Sequence, residues 1–127
     1  MLLDVAQHPH AVVVSLTGEL DGHHAGRLRT LLAEQLLGGP GSLVLDLAGL
    51  SFIDSSGLAA LIATDKGTRR AGTALVLAAP QPAVRKVLSL TGIDAVLSTT
   101  DTVEAALALL DPARTPGRQA PTDGTGR

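Results

Sequence analysis

The sequence predicts an α/β domain, a mixed and mostly parallel sheet of four to five strands with helices packed against it. Three observations carry this. Two short apolar runs near the N-terminus are divided by a polar turn containing proline, as in a hairpin. Two later runs, residues 43–47 and 73–78, are apolar without alternation, as expected of strands covered on both faces. Stretches of helical periodicity separate these runs, and alternating strands and helices build parallel sheets.

Residues 2–6 and 11–16 are the first two strands, and Gln7-His8-Pro9-His10 between them makes one antiparallel pair. In Gly18-Glu19-Leu20-Asp21-Gly22 the glycines permit a tight exit, and Asp21 is placed as the N-cap of the next helix. That helix, 27–37, carries Leu28, Leu31, Leu32 and Gln35 at helical spacing, with Leu36 widening the stripe, and Gly38-Gly39-Pro40-Gly41 stops it. The glycine cluster is not a phosphate loop, because no Gly-Lys-Ser/Thr follows and it lies after a helix.

Strand 43–47 leads through a loop into a second helix. There Leu58, Leu61 and Ile62 are assigned to the inner face and Asp65, Lys66, Arg69 and Arg70 to the outer one, with Thr64 read as structural. Gly72 turns the chain into strand 73–78. Pro80 and Pro82 open a third helix with Val84, Val87, Leu88 and Thr91 inward, and Gly92 closes it. Residues 95–97 read as a short edge strand, Asp101 and Glu104 as a capping box, and Val103, Ala106, Leu107 and Leu110 as the face of a last helix. The domain is therefore 1–110. Residues 111–127, rich in proline, glycine and threonine without periodicity, are expected to be a disordered C-terminal tail.

Composition excludes several functions. Of the 127 residues 45% are hydrophobic, enough for a packed core, but Phe52 is the sole aromatic. With no stacking platform and a net charge of −2, direct nucleic-acid binding is not expected. Cysteine is absent, which removes disulfides, thiolate metal sites and cysteine catalysis together. No basic region precedes an apolar segment at the start and no apolar run reaches the length of a membrane span, so a cytoplasmic protein without a membrane partner is expected. His8 and His10 flank a proline in a turn, and His23 and His24, adjacent on a helix, point about 100° apart, so neither pair is taken as a metal site.

The junction Ile53-Asp54-Ser55-Ser56-Gly57 holds more polar end groups than a helix start needs. With Asp54 as N-cap, Ile53 and Leu58 fall at the two positions of a hydrophobic staple. Ser55 is then left over at the first helical position, where free backbone N–H groups and the positive end of the helix dipole would tolerate a phosphate. On local sequence alone, Asp54 and Ser55 are equally the ordinary residues of a helix cap. A nucleophilic-serine enzyme is not indicated: Gly-x-Ser-x-Gly is absent and the histidines lie in other elements.

The run LVLDLAGLSFIDSSGLAAL, with TGELDGHHAGRLR upstream, resembles STAS domains of the anti-sigma factor antagonist type, close to the sporulation antagonists of Gram-positive bacteria, over roughly residues 2–110. The resemblance implies the STAS fold and an antagonist that is a kinase substrate rather than a catalyst, without a cofactor. It carries the phosphoacceptor role over to Ser55, with Ser56 a lesser site. It also implies two partners, an anti-sigma factor with serine kinase activity and a phosphatase acting on phospho-Ser55. In a parallel sheet, segments 18–21, 48–56 and 79–82 converge at the C-terminal edge of the strands. Asp21, Asp54, Ser55 and Ser56 are therefore the expected partner-binding residues, although capping by itself would account for Asp21. The alternative within the same family is a scaffold or ligand-sensing STAS domain of a stress-signalling complex.

Overall fold

A computed structural model of the chain describes residues 1–39 and 41–114. The elements run β1 (Leu2–Gln7), β2 (Val12–Leu20), α1 (Ala25–Gly38), β3 (Leu43–Ile53), α2 (Ser55–Arg70), β4 (Leu75–Ala78), α3 (Pro82–Leu90), β5 (Ser98–Thr100) and α4 (Val103–Leu110). One five-stranded sheet has the order β1-β2-β3-β4-β5; β1 is antiparallel to β2 and the other pairs are parallel. The expected sheet is thus found, with its fifth strand.

Strand alternation sends side chains to two separate cores. On one face Val12, Val14, Leu16, Leu43, Leu45 and Leu47 pack with Leu28 and Leu32 of α1, Leu61 of α2, and Val84 and Leu88 of α3. On the other, Ala11, Val13, Val44, Val76 and Ala78 meet Ala106 of α4. The middle strands have no alternation because both faces are covered, one by three helices and the other by α4.

Five local expectations are corrected. Thr91, expected on the inner face of α3, is exposed at its C-cap, its hydroxyl donating to Val87 O at 2.7 Å. Asp65, expected on the outer side of α2, is 7% exposed, whereas Ile62, expected inside, is 37% exposed. The helix is rolled so that Ala60, Leu61, Thr64 and Thr68 face inward. Asp65 is tolerated there because Arg69 Nε donates to its Oδ2 at 2.8 Å while Arg69 Nη2 reaches Val96 O at 3.3 Å. Such pairing offsets the cost of withdrawing a charge from water. Thr64 is structural as expected, its hydroxyl donating to Ala60 O at 2.8 Å.

The edge strand is Ser98–Thr100 rather than 95–97, because residues Ile93–Ala95 form a 3-10 turn entered through Gly92 at φ 77°. Thr102, not Asp101, caps α4: its hydroxyl accepts the Ala105 N–H at 3.0 Å, and Asp101 instead accepts from Arg85 at 3.1 Å. At the C-terminus, Pro112–Arg114 form one 3-10 turn, with Asp111 Oδ1 accepting the Ala113 N–H at 2.9 Å. The rest of the expected disordered tail, 115–127, lies outside the described residues. Among the described residues no helix is long and apolar enough to cross a membrane.

Candidate functional site

β3 is longer than its apolar run suggests, and the extra length aims the site. Against β2 it gains a residue at each of two irregularities, where Ser15 and Thr17 face Asp46 and Gly49, and where Gly18 and Glu19 face Leu50 and Phe52. Bulges of this kind bend a strand and turn its side chains. At the first, Gly49 is obligatory: a Cβ there would lie 2.8 Å from Thr17 Oγ1 and 2.9 Å from Leu16 O. Asp46 helps shape the bend by accepting from the Ala48 N–H at 3.1 Å and from Ser15 Oγ at 3.2 Å.

The strand therefore delivers Ile53 into the core and Asp54 to the start of α2. Asp54 is the N-cap as expected, Oδ1 accepting the Gly57 N–H at 3.1 Å. It also does something the sequence did not signal. Its Oδ2 accepts the Gly22 N–H at 3.3 Å, and its own N–H donates to Leu20 O at 3.2 Å. One carboxylate thus joins the start of α2 to the loop between β2 and α1. Ile53 and Leu58 both enter the helix-side core, consistent with the staple.

Ser55 and Ser56 are exposed on the first turn of α2, and among the described residues neither hydroxyl bonds to the protein. Space behind them is tight. A Cβ on Gly22 would stand 3.3 Å from Ser56 Oγ, and one on Gly57 would collide with Leu20 and Ile53.

Asp21 comes to the same edge but holds a turn before α1 instead of capping the helix directly. Its Oδ1 accepts the N–H groups of His23 and His24 at 3.1 and 3.2 Å and lies 2.9 Å from His24 Nδ1. The helix proper begins at Ala25, with His24 at the cap position making no side-chain cap bond. Partial desolvation would raise the Asp21 pKa. The hydrogen bond and charge of His24 and the two backbone donors outweigh it and hold the carboxyl below its ordinary value.

Two further residues complete the edge. Gln81 Nε2 donates to Ala48 O at 2.7 Å, tying the start of α3 to the middle of β3. Phe52, 46% exposed, presents an aromatic face two residues before Asp54. In the sequence Phe52 stands out only as the sole aromatic, and Gln81 does not stand out; an aromatic between Ser51 and Ile53 near a strand's end was the available signal for Phe52. Ala79, at φ 55°, also holds a left-handed conformation there, its N–H bonded to Thr100 O at 2.9 Å.

Asp54→Ala is expected to cost about 1–2 kcal/mol through loss of the cap, with Asp54→Asn milder because one carbonyl oxygen remains to accept. Urea unfolding of the two variants checks the order.

What this edge offers is a firmly fixed surface with two free serine hydroxyls, and the mixed five-stranded sheet beneath it is that of a STAS domain. The chain belongs to the STAS domain family, whose sequence profile matches residues 3–106. It is 33% identical over 99 residues to Rv2638 of Mycobacterium tuberculosis, whose name gives it as a candidate anti-anti-sigma factor, covering 76% of this chain and 67% of that one. It is 31% identical over 83 residues to the anti-sigma F factor antagonist of Lysinibacillus sphaericus, covering 65% and 71%. The crystal structure of an anti-sigma factor antagonist from Mycobacterium paratuberculosis matches with a TM-score of 0.71 and 32% identity over 86% of this chain and 92% of that one.

Proposed function

We propose that this protein is an anti-sigma factor antagonist whose unphosphorylated form binds a cognate anti-sigma factor that is also a serine kinase, freeing a sigma factor. Phosphorylation of Ser55 ends the binding, and a phosphatase acting on phospho-Ser55 restores it. The relatives' names support the role. The observation that carries the switch is the position of Ser55, exposed at the first residue of α2 while Asp54 already does the capping.

The physics of the switch is local. A phosphoserine adds roughly −1.5 to −2 charges, here next to Asp54 and on a surface the partner must cover. The helix dipole and free N–H groups of the first turn accommodate the phosphate in the free protein, so the fold is unchanged. In the complex an unpaired buried charge costs about 3–5 kcal/mol, which is about a hundredfold or more in affinity. Asp21, Asp54 and Ser56 form the rest of the docking surface.

Phosphopeptide mapping of the protein from its native cells under two growth conditions, with co-purifying proteins identified, tests this. The expected result is phosphate at Ser55 whose occupancy changes, and a kinase-like partner. Ser55→Ala should bind that partner and resist phosphorylation. Ser55→Asp should bind at least about tenfold more weakly, with stability within about 0.5 kcal/mol of the parent. Equal binding by both variants, or continued phosphorylation of Ser55→Ala, would overturn the reading.

A further inference from the structure

We propose that β1 is a self-association edge, through which two copies of this chain join their sheets about a two-fold axis passing beside Val5. β1 ends the sheet and nothing described pairs with its outer side. Edge strands of natural proteins are usually blunted by charged side chains, proline or bulges. β1 carries a single charge, Asp4, and no proline or bulge: its six residues run in continuous register with β2, and Leu2 and Val5 are 72% and 37% exposed.

The backbone hydrogen bonds fix what the edge can pair with. The His8 N–H donates to Ala11 O at 2.9 Å, in line with the β1–β2 register. Alternation in an antiparallel ladder then turns the N–H and C=O groups of Ala6, Asp4 and Leu2 toward β2, and those of Leu3, Val5 and Gln7 outward. All outward residues are odd-numbered. An antiparallel pairing of two such edges opposes odd with odd, so its two-fold axis must stand perpendicular to the sheet, with the helix layers of both copies on the same side.

Among these registers the one centred on Val5 uses every outward residue, pairing Val5 with Val5 and Leu3 with Gln7 of the second copy. It also sets Asp4 opposite Ala6. Of the two registers one step away, the one centred on Asp4 opposes Asp4 to Asp4, a like-charge pair, and the one centred on Ala6 leaves Leu3 without a partner in β1.

Charge on α1 favours the same arrangement. Arg27 Nη1 donates to Met1 O at 3.2 Å and Gln7 Nε2 to Gln35 Oε1 at 3.4 Å, so α1 runs alongside β1 in the same direction. Leu3, Val5, Arg27, Thr30, Leu31 and Glu34 line the groove between them. Arg27 and Glu34 stand two helical turns apart on that side. A two-fold axis near Val5 reverses α1 in the second copy and brings each Arg27 toward the other's Glu34. The edge is complementary to itself in register, shape and charge, as an isologous interface must be.

Sedimentation equilibrium of the full chain across micromolar to millimolar concentrations, with amide hydrogen exchange, tests this. A concentration-dependent dimer is expected, in which the Leu3, Val5 and Gln7 amides become protected as it forms. Val5→Lys should be monomeric, with those three amides exchanging freely. Arg27→Glu and Glu34→Arg should each weaken the dimer about tenfold, and the double exchange should restore it; these surface changes keep the test decisive if Val5→Lys fails to fold. A monomer at every concentration, a dimer that leaves the three amides exposed, or a double variant no tighter than the singles would overturn the proposal. None of these outcomes depends on the role of Ser55.

Discussion

Gly57→Ala is expected to destabilise the protein by about 1–3 kcal/mol and to disorganise the edge proposed for docking as well. A Cβ at this position would stand 2.7 Å from Leu20 O, 2.8 Å from Ile53 Cγ1 and 2.9 Å from Leu20 Cγ. Two of those atoms belong to the end of β2, and Leu20 O is the acceptor of the Asp54 N–H. Relief of the clash would pull α2 away from β2 and strain both bonds of the cap. Overpacking costs typically 1–3 kcal/mol, and weakening the cap adds about 1 kcal/mol. Alanine's better helix propensity returns only about 1 kcal/mol, so the clash wins.

Gly67→Ala on the same helix is the control. Its Cβ would make an ordinary contact at 3.5 Å with Leu36 Cδ1, so propensity acts unopposed. The same substitution ten residues along should stabilise by up to about 1 kcal/mol. Urea unfolding with unchanged slope would establish both values. A neutral Gly57→Ala would show that β2 and α2 are less tightly joined than the geometry requires.

The second large effect is expected from Leu61→Ala, at about 2–5 kcal/mol. Leu61 is fully buried and is the main side chain by which α2 enters the helix-side core. The core it joins is built from three strands and from α1 and α3, a close-packed surround that will not collapse into the space left behind. This variant should lose stability without acquiring the specific binding defect of Ser55→Asp. At a temperature where both are fully folded, Leu61→Ala should bind the partner nearly as the parent does. Loss of binding in the folded Leu61→Ala protein would mean that the surface depends on the packing of α2 and not only on its first turn.

Much of this was legible in the chain. Short-range rules placed the hairpin at Pro9, the unalternating strands, the glycine and proline punctuation, and the cap at Asp54 with its leftover serine. Each is set by the conformational preferences of a few adjacent residues, so each survives being read one segment at a time. The misreadings have two origins. Ile62 and Asp65 are a residue-type assignment of inside and outside, but the roll of α2 is set by α1 and the sheet on its flanks, and Arg69 removes the penalty of placing Asp65 inward. β5 moved because Gly92 allowed a 3-10 turn where an apolar triplet suggested a strand.

The sequence by itself determined the order and kind of the main elements and the position of Ser55 at a helix start. Only the tertiary structure decided how that start is held. The second oxygen of Asp54 finds Gly22, thirty-two residues away, because two bulges in β3 bend it there. It also decided that β1 is the end strand of the sheet among the described residues, since strand order depends on which crossovers pack, a property of contacts distant in sequence that no local pattern encodes.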